Sequence, residues 1–113
     1  MNLRFSAAVL SAAIVSLVGT SAFAQGTLTA SQATAGAKVY AQSCQSCHGA
    51  KLEGGAGPTL TGSAFTQKYP TPSKLYGFIS KNMPLGAPGS LSTAQYQQVT
   101  AYLLKQNGKL GTK

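Results

Sequence analysis

Cys44-Gln45-Ser46-Cys47-His48 is the stretch from which the rest of this 113-residue chain takes its meaning. It is a C-x-x-C-H run, the attachment signature of c-type haem. Two thiols three positions apart can each add across one vinyl group on the same edge of a porphyrin, forming two thioethers. The adjacent imidazole is then carried beneath the iron as its proximal ligand. Competing chemistries fail by counting. A structural zinc site needs four ligands, and Cys44, Cys47 and His48 are the only cysteines and histidine in the chain. A thioredoxin-like pair calls for a strand and a βαβ context, whereas a helical pattern precedes Cys44. A disulfide between Cys44 and Cys47 would close a tiny loop, stabilise little and leave His48 unexplained.

Working outward, the second axial ligand of such an iron is narrowed by composition. With a single histidine, bis-histidine ligation within one chain is impossible, and beyond Met1 the only methionine is Met83. Pro84 follows it and disfavours the helical region at Met83, so the thioether is presented from a constrained loop. Met83 is the favoured distal ligand; the alternatives are an open or water-bound iron, an unusual Lys or Tyr ligand, and a Met83 that merely fills the core.

Three helices frame these residues. Thr29-Ala30-Ser31-Gln32 is a capping box opening a helix that runs to about Gln42, with Ala33, Gly36 and Tyr40 on one face. Gly36 costs roughly 1 kcal/mol against Ala inside a helix, which points to a close helix contact there. Thr71-Pro72, an N-cap followed by proline, starts a second helix that ends near Asn82. Ser92-Thr93-Ala94-Gln95 is a second capping box, with Leu91 stapling onto Tyr96. The third helix carries Tyr96, Val99 and Leu103 as a stripe, with Tyr102 beside it, and stops at Asn107-Gly108. Gly49 to Gly62 is a glycine-rich loop, and Phe65 sits in a single turn beyond it. Nothing alternates with period two, so almost no strand is expected.

The first 24 residues read as a separate unit. Arg4 supplies a positive n-region, Ala7 to Val18 an apolar run, and Ala22-Phe23-Ala24 the small-x-small pattern cut before Gln25. A run of that length is shorter than the roughly 20 residues needed to span a bilayer, although an uncleaved anchor is the alternative. Residues 1–24 are therefore expected to be a signal peptide directing export to the periplasm, and 25–113 a single domain. The 43% apolar content overstates its core, because 16 of the 24 leader residues are apolar, and 13 glycines and 5 prolines in the chain mean long loops. So short a domain usually needs a staple or a buried cofactor. Glu53 is the only acid, which excludes carboxylate pairs, Asp-based triads and EF-hands. Eight lysines against Glu53 leave the exported domain at +7. They are scattered singly rather than clustered with aromatics, so an acidic protein partner fits better than nucleic acid.

From Ala33 to Gly108 the chain resembles the small class I monohaem cytochromes c. Gly36-Ala37-Lys38-Val39-Tyr40 leading into Cys44 to Gly49, the Gly57-Pro58-Thr59-Leu60-Thr61-Gly62 loop, Asn82-Met83-Pro84 and Val99 to Leu104 carry the likeness. It implies an all-α fold of three main helices and loops around one covalently bound haem. It further implies that the Pro58 carbonyl accepts the His48 ring N–H, that Leu60 lies on the haem, and that His48 and Met83 are the axial ligands. Gly36 and Tyr40 would meet Val99 and Tyr102 where the terminal helices cross. A Tyr hydroxyl on the methionine sulfur would be Tyr69 or Tyr76, the alternative for either being core packing with a hydrated hydroxyl. Met83 to Leu91 is similar to bacterial cytochromes that serve periplasmic dehydrogenases. The expected function is electron carriage between redox partner proteins, one of them bearing an acidic patch, with no membrane insertion after cleavage. The alternatives are a dehydrogenase's electron-accepting subunit and a five-coordinate haem protein that binds gas or peroxide. No independent catalytic residue set is visible.

Overall fold

A computed structural model describes residues 27–112; the leader falls outside the described residues. Among them the chain forms five helices and no strand: α1 (Ala30–Ser43), α2 (Gln45–His48), α3 (Ser63–Lys68), α4 (Pro72–Asn82) and α5 (Thr93–Gln106). No described helix is long and apolar enough to cross a membrane. The three expected helices are α1, α4 and α5, and α2 and α3 are short additions; Phe65 lies in α3.

The helix starts obey local chemistry. Thr29 and Ser92 each accept the amide of the residue three positions on, and Gln32 and Gln95 each reach back to the cap amide. Each box thus satisfies two of the amides a helix leaves unpaired. Thr71 caps α4 at the Lys74 amide, with Pro72 in its first turn. At the other end of α5 the Gly108 and Lys109 amides return to the Lys105 and Leu104 carbonyls, 3.1 and 2.8 Å away, in a Schellman closure.

Packing then joins the first and last described helices. α1 packs against α5, and α4 packs against α5 as well. Tyr40, Val99, Leu75 and Thr100 are the largest fully buried side chains. Tyr40 and Tyr102 pack with ring centroids 5.3 Å apart across the crossing. Gly36 lies against the main chain of Gln98 and the Tyr102 Cβ, one residue from the Val99 contact expected for it; a Cβ added at Gly36 would collide with the Gln98 carbonyl.

Asn107 ties the far loop to this frame. Its Nδ2 donates to the Leu60 carbonyl at 3.0 Å and to the Leu103 carbonyl at 2.8 Å, while Oδ1 accepts the Gly62 amide at 3.1 Å. The expected result for Asn107→Ala is a loss of about 1–3 kcal/mol, because partly buried loop groups lose their partners. Urea unfolding of the holoprotein checks it.

Candidate functional site

Cys44 ends α1 and opens α2, so the motif sits at a break between two helical segments. The Cys47 and His48 amides bond to the Cys44 carbonyl at 3.2 and 3.0 Å, which winds the motif into one turn. Residues three apart on such a turn share a face. Cys44 is half-buried and Cys47 exposed. Before haem attachment, burial pushes the Cys44 thiol up to about 11.

His48 is buried, and its Nδ1 lies 2.7 Å from the Pro58 carbonyl. That carbonyl can only accept, so Nδ1 carries the proton and Nε2 keeps its lone pair. The loop that supplies the carbonyl is wrapped tightly beneath the motif. Gly54 donates to the His48 carbonyl at 2.7 Å and Gly57 to the Cys47 carbonyl at 2.8 Å. A Cβ at Gly57 would stand 2.7 Å from the imidazole Cε1, so a larger residue there would displace the ring. Tyr40 closes the other side, its hydroxyl donating to the Gly49 carbonyl at 2.6 Å. Burial, with Cys44 next in effect, pushes that hydroxyl up to about 12, which keeps it a donor through the physiological range.

Leu52 is a feature that composition did not disclose. It has a φ of +62°, a region costing a non-glycine residue roughly 1–2 kcal/mol. It is nevertheless buried, and its carbonyl accepts both the Leu60 amide and the Thr59 hydroxyl at 2.9 Å. Burial and two hydrogen bonds offset the backbone cost and set the course of the Pro58–Leu60 strand of loop.

Met83 caps α4 in extended conformation, φ −119° and ψ 153°, and the Met83–Pro84 peptide is cis. Cys44, Leu60, Tyr69, Tyr76, Met83 and Leu91 pack against the core while remaining only partly buried. A porphyrin needs such an apolar wall, drawn from several segments and left open on one side. Together with two thiols on one turn and an imidazole with a free Nε2, these residues fit a covalently attached haem. A cleft of about 460 Å³, lined by Phe65, Tyr69, Leu75, Leu104, Asn107 and Lys109 among others, stands apart from the motif. None of Cys44, Cys47, His48 or Met83 is in its walls.

Residues 31–103 match the family described as cytochrome C oxidase, cbb3-type, subunit III. The chain belongs to this family. It is thereby a c-type cytochrome and carries covalently bound haem c. Over 81 residues the cytochrome is 35% identical to the dihydro-heme d1 dehydrogenase of Pseudomonas aeruginosa, a match covering 69% of this chain and 16% of that protein. It is also similar to a chain in the crystal structure of the sulfane dehydrogenase SoxCD from Paracoccus pantotrophus. There the TM-score is 0.60 and the identity 30%, over 69% of this chain and 44% of that one. The cytochrome thus spans less than half the length of either relative, each named as a dehydrogenase.

The expected contact between His48 and Pro58 is present at 2.7 Å. Leu60 is half-buried on the next turn of the loop, and Met83 is half-buried at the end of α4. Tyr69 packs between the Phe65 and Phe78 rings, at 5.3 and 5.2 Å. Two residues that anchor these segments carry only helix signals in the sequence. The sequence marks Asn107 as a helix stop and Tyr96 as a core-facing stripe residue; in the structure Asn107 bonds the Leu60 segment and Tyr96 the Met83 carbonyl. The one available sign was a tyrosine, rather than a plain hydrocarbon, at an inward-facing position.

Proposed function

We propose that this cytochrome carries single electrons between partner proteins in the periplasm, its haem tethered through Cys44 and Cys47 and its iron ligated by His48 and Met83. When bound, the haem supplies a ferric–ferrous couple and a conjugated edge through which an electron leaves without any bond being made or broken. The observation that carries the reading is the 2.7 Å bond between His48 Nδ1 and the Pro58 carbonyl. It fixes the tautomer, orients the ring and raises the basicity of Nε2, as a carbonyl partner does for ligating histidines. Gly57 leaves room for the ring, and the Gly54 and Gly57 amides hold the loop, so the imidazole is seated with little freedom to rearrange. Export is supported by the leader's charge, apolar run and cleavage pattern in the first 24 residues.

The test of the tether is extraction in acidified organic solvent. Haem is expected to stay on the wild-type polypeptide, and Cys44→Ala or Cys47→Ala to cut holoprotein yield severely. Free haem recovered from the wild type would overturn the covalent assignment.

Docking onto an acidic partner patch follows from the eight lysines. Lys51, Lys74 and Lys81 are exposed and flank the motif and the Met83 segment in sequence. Stopped-flow transfer from the native donor is expected to slow about 10-fold or more between low and physiological ionic strength. The triple variant Lys51→Glu, Lys74→Glu, Lys81→Glu should be slow at low salt already. A specific observation favours a second reading, permanent association with a dehydrogenase. Asn82 to Leu104 contains no charged residue, and Leu85 within it is 79% exposed. A rate indifferent to salt and to the triple variant would select this apolar contact.

A further inference from the structure

We propose that Tyr96 is the positioning residue that keeps Met83 in place, one hydroxyl closing both ends of the loop from Met83 to Leu91. This inference rests on the reading of Met83 as the distal ligand. The Tyr96 hydroxyl donates to the Met83 carbonyl at 2.7 Å and accepts the Leu91 amide at 3.4 Å. Its ring is 4% exposed, anchored in the first turns of α5. That part of the helix is itself fixed by the Ser92–Gln95 capping box.

The loop has little else to hold it. Leu85 to Ser90 are all exposed, and the loop's own main-chain bonds are two turns, Ala87 to Pro84 at 2.9 Å and Ser90 to Ala87 at 3.2 Å. Exposed segments with few buried contacts open most readily. At Met83 both main-chain polar groups are engaged: the amide donates to the Ile79 carbonyl at 2.9 Å, and the carbonyl accepts from Tyr96. The first bond belongs to α4 and survives if the loop swings out. The second crosses from α4 to α5 and must break for the loop to leave. The main chain that carries the Met83 sulfur is held by Tyr96.

An external ligand that replaces the thioether binds only the open state, so its apparent affinity scales with the open fraction. Removing one net hydrogen bond raises that fraction about 5- to 10-fold. Imidazole titration of the ferric holoprotein reads this directly. Tyr96→Phe, which keeps the buried ring, is expected to bind imidazole about 5- to 10-fold more tightly in apparent terms. It should retain the far-red sulfur-to-iron band when imidazole is absent. Thr100→Val removes a 2.7 Å bond to the Tyr96 carbonyl without touching the loop. It should lower thermal stability and leave imidazole affinity within about twofold. A Tyr96→Phe affinity equal to wild type, or an equal rise in Thr100→Val, would overturn the proposal while Met83 ligation stands. A wild type without the far-red band overturns both. As a measurement independent of any variant, proton NMR of the ferrous wild type should contain a slowly exchanging Tyr96 hydroxyl. Its absence also overturns the proposal.

Discussion

Ferrous Met83→Ala is expected to bind carbon monoxide rapidly and stoichiometrically, where the wild type binds it poorly. Met1 aside, the Met83 thioether is the only soft sulfur ligand left once Cys44 and Cys47 are committed to the haem, and His48 is the only imidazole. On the proposed ligation, truncation to a methyl removes the distal ligand with no side chain of similar chemistry to replace it. Carbon monoxide would then have to wait, in the wild type, for the loop to open. Minor states of this kind are populated at roughly 0.1–10%, so apparent affinity should rise about 10- to 1000-fold in the variant. The ferric variant should also lose the weak far-red band that marks sulfur on iron. Its reduction potential should fall, because thioether ligation favours the ferrous state. Laser-flash or stopped-flow carbon monoxide binding with ferric absorption spectra checks all three. Rapid, stoichiometric binding by the wild type would assign an open, gas- or peroxide-binding iron instead.

Gly36→Ala is expected to destabilise the holoprotein by roughly 2 kcal/mol net, although alanine is the better helix former. Two effects compete. Alanine gains about 1 kcal/mol in intrinsic helix propensity. Against that, its Cβ would collide with the Gln98 carbonyl and stand 2.9 Å from the Tyr102 Cβ. The Gln98 group is main chain inside α5, so it cannot rotate away as a flexible side chain would. The helices must separate, and that opens the Tyr40–Tyr102 packing and the Val99 contacts. Overpacking of this kind costs typically 1–3 kcal/mol, occasionally more, and here the clash is with backbone on a buried crossing. For a domain of this size the midpoint of thermal unfolding should drop by roughly 8–16 °C. Calorimetry of the holoprotein decides it. An unchanged or higher midpoint would mean that the helices leave room for a Cβ at Gly36.

Much of this was legible without coordinates because it depends on neighbours in sequence. Both capping boxes, the Thr71-Pro72 start and the stop at Asn107-Gly108 are encoded within four or five residues, and each is present. The C-x-x-C-H spacing specified the cofactor for the same reason: two thiols and an imidazole within one turn need no distant partner. Counting restricted the axial ligands further, since one histidine and one methionine remain once Met1 is set aside. Gly36 announced a close contact, but not that the contact is the Gln98 carbonyl. Periodicity says which face of a helix is covered; register against another helix depends on how both surfaces interlock.

What tertiary structure alone decided are the contacts between segments far apart in sequence. Asn107 bonds the Leu60 carbonyl 47 residues away, and the Tyr96 hydroxyl takes the Met83 carbonyl 13 residues away. A polar side chain near a helix end can cap its own helix, meet water or bridge to another loop, and local sequence gives these choices equal standing. Only the packing of α1 and α4 against α5 brings the loop carbonyls within reach of those two donors. The residues that bear the chemistry were therefore set by spacing along the chain. The residues that hold them still were chosen by packing, because a hydrogen bond of 2.7–3.0 Å exists only where the folded backbone puts both partners in place.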